Sequence, residues 1–364
     1  MHVNVNQLIP GVVLRENIYL KTGSPIMKRK TVLTDDHIYI LHQFLVDEVE
    51  VFQKLSNGQE FKPKGGRKQA KEEQEEDNSP AIEKDSFLDR YLHAVEFYKK
   101  HFKNWQSGAK VEAFDVRKIF LPLYEREPNH YEIMQMLSMP TKEEYIYHHS
   151  VSVAVLSYLL GKAENMKSGD IIQLGLAGLL SDCGMAKLPQ QIFMKSGSLT
   201  SEEYDEIKKH PIYGYRMIEN IPGFSKNALL GVLQHHERED GSGYPLKVTR
   251  DKLHQFAKII AIADTFHAMT TERPFRSAKS PYQVLDEMLM DGFGKLDQQY
   301  IHRFMPIVTS LAIGEKVRLN NNEPGEIIYL HPDRPTRPLI TIADGKQIDL
   351  SKEKDLYIEY VQPE

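Results

Sequence analysis

Five short segments set histidine and aspartate inside or beside apolar helical patterns. They are Tyr147-His148-His149-Ser150, Ser181-Asp182-Cys183-Gly184, His210-Pro211, His235-His236-Glu237 and Ala263-Asp264-Thr265-Phe266-His267. An ionisable group among apolar residues is costly unless it is paired or bound to a cation. A single such histidine is most simply a satisfied core residue. Five segments together point instead to metal ligation by imidazole and carboxylate. Within a helix, adjacent His235 and His236 would face different sides. The turn signal Glu239-Asp240-Gly241-Ser242-Gly243 follows at once, so a helix end can aim both at one place.

Composition supports that donor set. The chain has 364 residues with a single cysteine, Cys183, and 15 histidines. One thiol cannot form an internal disulfide, and a cysteine-rich zinc module is excluded. Cys183 reads as a small buried hydrophobe. A formal charge of −5 argues against broad attraction to nucleic acid or an anionic membrane, so no DNA binding is expected. No stretch reaches the roughly 18 apolar residues that read as a membrane span. Met1-His2-Val3-Asn4-Val5-Asn6 lacks the basic and apolar regions of a leader, so the cytoplasm is the expected compartment.

The elements that must position these residues are mostly helices. Residues 1–54 read as a small mixed α/β module. Val12-Val13-Leu14, Asn17-Ile18-Tyr19-Leu20 and Val49-Glu50-Val51-Phe52 are strand candidates, and a helix is predicted to start at Thr34-Asp35-Asp36. Residues 55–85 are charged and nearly devoid of large apolar side chains, which predicts a flexible linker. From residue 86 the rhythm is helical: Phe87, Tyr91, Val95 and Tyr98 lead a connecting region over 86–139, and the chemistry-bearing segments fall in 140–312. Thr200-Ser201-Glu202-Glu203 fits a capping box. Residues 313–364 switch to short strands, Lys316–Leu319, Glu326–Leu330, Leu339–Ile342 and Leu356–Tyr360, which predict a small β module. Trp105, Met134, Met136 and Met139 read as packing residues.

The run His235-His236-Glu237-Arg238-Glu239-Asp240-Gly241-Ser242-Gly243-Tyr244-Pro245 resembles the signature of the HD-GYP family, a branch of the HD phosphohydrolases. The likeness continues through Ala261–Phe266 and Thr271–Arg276, with similar segments at Lys195–Thr200 and His210-Pro211, and covers roughly 140–310. The first 54 residues and the β tail resemble modules that flank HD-GYP domains. The resemblance implies a mainly α chain with an all-helical HD-type domain between those modules. It implies a metal-dependent phosphodiesterase that converts cyclic di-GMP to linear pGpG or GMP. Two nearby divalent cations would clamp the phosphodiester and lower the pKa of a bridging water for in-line attack. Fe, Mn, Ni, Co or Zn would suit the donors, and ligand type alone does not choose among them.

Carried over by position, His210, His235 and His236 match the imidazoles of the second metal site, and Asp182 matches the catalytic carboxylate that bridges both metals. The first site would use His149 and Asp264. Its remaining histidine is replaced by Ser181, a poor ligand, so that site is expected to be impaired. Met185 stands where the family commonly has a phosphate-contacting lysine, with Lys187 two residues on. Tyr145 stands where some members carry a third-metal glutamate, so two metals at most are expected. His267 replaces an aspartate common in the family. It shares a helical face with Asp264 and could supply the missing imidazole. Gly241 and Gly243 would let a tight loop present Tyr244 to a guanine face, Arg273 and Arg276 suit bidentate phosphate contact, and Glu237 would orient a ligand histidine. His148 is expected to face away. Two readings stay open: a working cyclic dinucleotide phosphodiesterase with protein partners in signalling, or a degenerate module that binds nucleotide or partner without turnover.

Overall fold

The computed structural model describes residues 1–19, 25–34, 37–38, 41, 48–56, 59–61, 86–193, 195, 197, 199–272, 278–290, 294–309 and 311–362. Two compact units form, Met1–Ala81 and Ile82–Glu364.

The first unit is built from short antiparallel pairs. β1 (His2–Asn4) pairs with β4 (Glu48–Glu50), and β2 (Ile18–Tyr19) with β3 (Pro25–Met27). Its core is Val3, Val12, Leu14, Leu33, Val49, Val51 and Phe61 with their neighbours. The strand expected at Val12–Leu14 is reduced to isolated bridges, Val13 with Val32 and Leu14 with Val51. Thr34 Oγ1 accepts from the His37 N–H, as a helix start requires, while most of the predicted helix lies outside the described residues. The predicted linker lies outside them from residue 62 onward.

The second unit is mainly helical. Its helices are α1 (Phe87–Gln106), α2 (Ala113–Glu125), α3 (His130–Ser138), α4 (Tyr145–Ala163), α5 (Ser168–Leu180), α6 (Gln190–Phe193), α7 (Ser201–Ile207), α8 (His210–Ile218), α9 (Lys226–Gln234), α10 (Gln255–Thr270), α11 (Pro281–Met290) and α12 (Gln298–Val308). The starts follow the local code: Ser86, Asn129 and Thr200 close capping boxes with Asp89, Glu132 and Glu203. Helix α4 is the axis of the unit. Fifteen of its residues are buried, because it is apolar on nearly every side. It packs against α1, α5, α10 and α12. The core around it includes Trp105 and Met136, with Met134 and Met139 packed at its margin.

The C-terminal sheet has the antiparallel order β8-β7-β6-β5-β9, with β5 at Lys316–Leu319, β6 at Pro324–His331, β7 at Arg334–Ile342, β8 at Gln347–Asp349 and β9 at Ile358–Val361. β9 starts two residues later than the pattern suggests, because the Asn320 side chain takes the Tyr357 N–H. β8 has three residues with one apolar side chain, too short a run to be legible in the pattern. The sheet core closes around Tyr282 of α11, and Arg337 grips Asp286 at 2.6 Å. No described helix is long and apolar enough to cross a membrane.

Candidate metal centre

Helix ends and two helix interiors converge on a single point. Asp182 follows Ser181 at the end of α5, where the chain tightens into a 3-10 turn over Cys183–Lys187. His210 opens α8, with Pro211 in the first turn. His235 caps the end of α9, and His236 follows it. Asp264 is buried on α10, and His149 comes from the middle of α4. The turn after α9 does what the sequence suggested, since the His235 and His236 rings lie 4.1 Å apart.

Two groups of potential ligands share Asp182. One is Asp182, His210, His235 and His236; the other is His149, Asp182 and Asp264. Asp182 Oδ1 is 3.1 Å from His210 Nε2 and 3.7 Å from His235 Nε2. Its Oδ2 is 3.5 Å from His149 Nε2, which is 2.9 Å from Asp264 Oδ1. The other oxygen of Asp264 lies 3.7 Å from His236 Nδ1.

The hydrogen bonds behind these rings say what the near side offers. The Ile207 carbonyl accepts from His210 Nδ1 at 2.8 Å, and the Val232 carbonyl accepts from His235 Nδ1 at 2.8 Å. A carbonyl can only accept, so each Nδ1 carries a proton. In neutral rings both Nε2 atoms then present lone pairs. Those two atoms are 3.2 Å apart and face the Asp182 carboxylate. Three electron-rich groups at that spacing repel one another unless a cation lies between them, so the residues fit a divalent metal.

The charges agree with that donor set. Burial pushes Asp182 up, but the adjoining His210 and His235 rings outweigh it and hold the carboxyl well below its usual range. Asp264 is also raised by burial, and the adjoining His149 ring again wins, leaving it ionised. Burial pushes the His236 imidazole well below its usual range, and neighbouring His235 adds to this, so the ring is neutral. Anionic carboxylates and neutral imidazole are the forms that bind metal.

Several residues sit elsewhere than expected. Ser181 is buried and its hydroxyl donates to the Gly178 carbonyl at 2.9 Å, pointing back along its helix rather than to the cluster. His267 belongs to neither ligand group. It lies behind His149, its Nδ1 3.0 Å from His149 Nδ1. Glu237 orients no ligand histidine. Its carboxylate accepts backbone N–H groups from Leu246, Lys247 and Val248 at 2.5, 3.0 and 3.2 Å. Tyr244 stacks on His236, with ring centroids 4.7 Å apart, so one of its faces is already covered. Gly241 adopts φ +76°, and Gly243 passes so close to the preceding segment that a Cβ would sit 2.4 Å from Glu237 Cα. Gly243 therefore serves the loop's packing against the histidine segment. Lys187 donates to the Trp105 carbonyl at 2.8 Å. His148 faces Tyr91, whose hydroxyl is 2.8 Å from its Nδ1. Cys183 is buried, and that burial pushes its thiol up. Arg273 and Arg276 lie outside the described residues. Tyr145, read from sequence only as a missing carboxylate, stacks on His149 with centroids 5.1 Å apart. Its spacing of i, i+4 from His149 is the signal that could have found it.

Glu237→Gln tests the loop anchor. The amide can still accept at one oxygen, but Val248 N–H would face an NH2 group. We expect a loss of about 1–2 kcal/mol in urea unfolding, and an unchanged midpoint would refute the anchoring role.

Residues 133–299 match the HD domain family. That stretch holds the run that resembles the HD-GYP signature. The HD dipeptide is Ser181-Asp182 here, and the GYP tripeptide is intact as Gly243-Tyr244-Pro245. The chain is 31% identical over 206 residues to a cyclic di-GMP phosphodiesterase of Pseudomonas aeruginosa, spanning 57% of this chain and 49% of that protein. It is 32% identical over 184 residues to a 3'3'-cGAMP-specific phosphodiesterase of Vibrio cholerae, spanning 49% of this chain and 42% of that one. The matches thus span about half the length of these curated relatives. An HDG"Y"P protein from Bdellovibrio bacteriovorus shares the fold, with a TM-score of 0.51 and 15% identity over 85% of this chain and 99% of that one.

Proposed function

We propose that the HD domain is a metal-dependent phosphodiesterase acting on a cyclic dinucleotide, with cyclic di-GMP the first substrate to test. The observation that carries this is the pair of ligand groups joined at Asp182, with the His210 and His235 lone pairs turned toward one another. Phosphodiesterase names among the relatives support the substrate class. Divalent cations held by His149, Asp182, His210, His235, His236 and Asp264 would neutralise phosphodiester charge and acidify a water molecule.

The chain's own residues prepare the site for that chemistry. Asp182 and Asp264 stay anionic at neutral pH. The carbonyls of Ile207 and Val232 hold two imidazoles in one tautomer. Tyr244 packs on His236 and limits that ring's rotation. Hydrolysis forms a bond from water oxygen to phosphorus, breaks the bond to the sugar oxygen and returns a proton to that oxygen. The substrate contacts of Tyr244, Gly243, Arg273 and Arg276 belong to this same reading.

The two cation sites are unequal in this proposal. The group around His210 has four side chains and the group around His149 has three, with the Ser181 hydroxyl engaged by Gly178. That observation favours a second reading, a weakly active module that binds nucleotide with little turnover. Incubation of the Mn2+-loaded protein with cyclic di-GMP, followed by separation of products, separates the two. Prompt release of linear product is the expected result. A parent that binds nucleotide but leaves it intact, beside an active Ser181→His variant, would establish the second reading. Failure of both proteins to bind or cleave a cyclic dinucleotide would reject the substrate assignment.

A further inference from the structure

The metal reading above leaves one ligand histidine without the support that the others have. His210 and His235 sit at helix ends, where a backbone carbonyl three residues earlier is free to accept their Nδ1 protons. His149 sits in the middle of α4, where carbonyls are committed to the helix. Its Nε2 faces Asp264 and Asp182, so ligation needs the ring proton on Nδ1. A side chain must therefore accept that proton.

His267 is placed to do so. It is fully buried, one turn along α10 from Asp264. Its Nδ1 is 3.0 Å from His149 Nδ1, a nitrogen–nitrogen contact that needs one proton between the two atoms. Thr271 Oγ1 lies beside its ring, 3.4 Å from Nε2 and 3.5 Å from Nδ1. Tyr145 Oη, at 3.1 Å from His149 Nδ1, is the competing neighbour. With its own proton on Nε2, His267 presents an Nδ1 lone pair to His149.

We propose that His267 is a positioning residue: it accepts the Nδ1 proton of His149 and thereby presents His149 Nε2 to the cation shared with Asp182 and Asp264. This inference rests on the metal reading. A neutral imidazole stands here where metal-bound histidines generally lean on a carboxylate, a backbone carbonyl or water. The three-ligand group is accordingly the one whose affinity His267 controls.

The test is Mn2+ titration of the full chain, followed by the bound fraction rather than by turnover. Asp264→Asn first identifies which class of bound Mn2+ belongs to the His149 group. His267→Leu keeps volume and removes the acceptor. It should weaken that class on the order of 10–100-fold and leave the His210 class unchanged. His267→Asn, whose side-chain oxygen sits near the place of Nδ1, should restore much of the loss, which a purely structural role would not predict. Wild-type affinity in His267→Leu overturns the proposal, as does an equal loss in both classes or a loss reproduced by Tyr145→Phe alone. A wild-type chain that takes up no Mn2+ overturns the metal reading itself, and this inference with it.

Discussion

Asp182→Asn should remove the proposed phosphodiesterase reaction. Asp182 belongs to both ligand groups among the described residues, and each of its oxygens faces a different set of imidazoles. Asparagine keeps the shape of the side chain, but it loses the negative charge, and its NH2 group cannot bind a cation. Hydrolysis of cyclic di-GMP should fall on the order of 10^3-fold or more, because charge stabilisation and metal placement are lost together. Mn2+ uptake should drop in both classes at once, which distinguishes Asp182 from His267. The fold should survive, since asparagine keeps the volume of the side chain it replaces. Product analysis at equal protein concentration, beside a Mn2+ titration, checks the expectation. Turnover within about tenfold of the parent would refute the bridging role.

Gly184→Ala carries the largest expected cost to stability. Gly184 lies two residues after Asp182, and a Cβ there would meet the His210 carbonyl oxygen at 2.0 Å and the Gly214 nitrogen at 2.5 Å. Both contacts are backbone, so no side chain can swing aside. The 3-10 turn and α8 would have to separate, and these are the elements that carry Asp182 and His210. We expect a loss of about 3 kcal/mol from forced overpacking, seen as a melting temperature lower by roughly 5–10 °C. Mn2+ affinity of the His210 class should fall as well, because the 3.1 Å approach of Asp182 to His210 depends on that close packing. A variant that melts with the parent would show that the two backbones do not meet as described.

Residue types and local spacing were enough for much of the site. The pair His235-His236 before a glycine-rich turn announced two imidazoles at a helix end, and the rings lie together there. His149, Asp182, His210 and Asp264 were each legible as polar groups in apolar surroundings, and the structure gathers them within one cluster. The mainly helical body and the β tail followed from periodicity, while β8 was missed because three residues are too few to carry such a signal. Arg273 and Arg276 rest on sequence alone, since they lie outside the described residues.

Direction was what the sequence could not supply. It set Asp264 and His267 on one helical face, but three residues along a helix also advance about 4.5 Å along its axis. That offset puts His267 against the far nitrogen of His149 instead of beside Asp182. Glu237 could have turned toward its histidine neighbours, and it turned to three backbone N–H groups of the following loop. Ser181 could have faced the cluster, and its hydroxyl satisfied the last turn of its own helix. The sequence by itself determined which donors this protein owns and that they ride on helices, because residue chemistry and helical period are local properties. Only the tertiary structure decided which nitrogen of each imidazole looks inward and which residues stand behind it, because those choices depend on which hydrogen-bond partner packing between helices brings within about 3 Å.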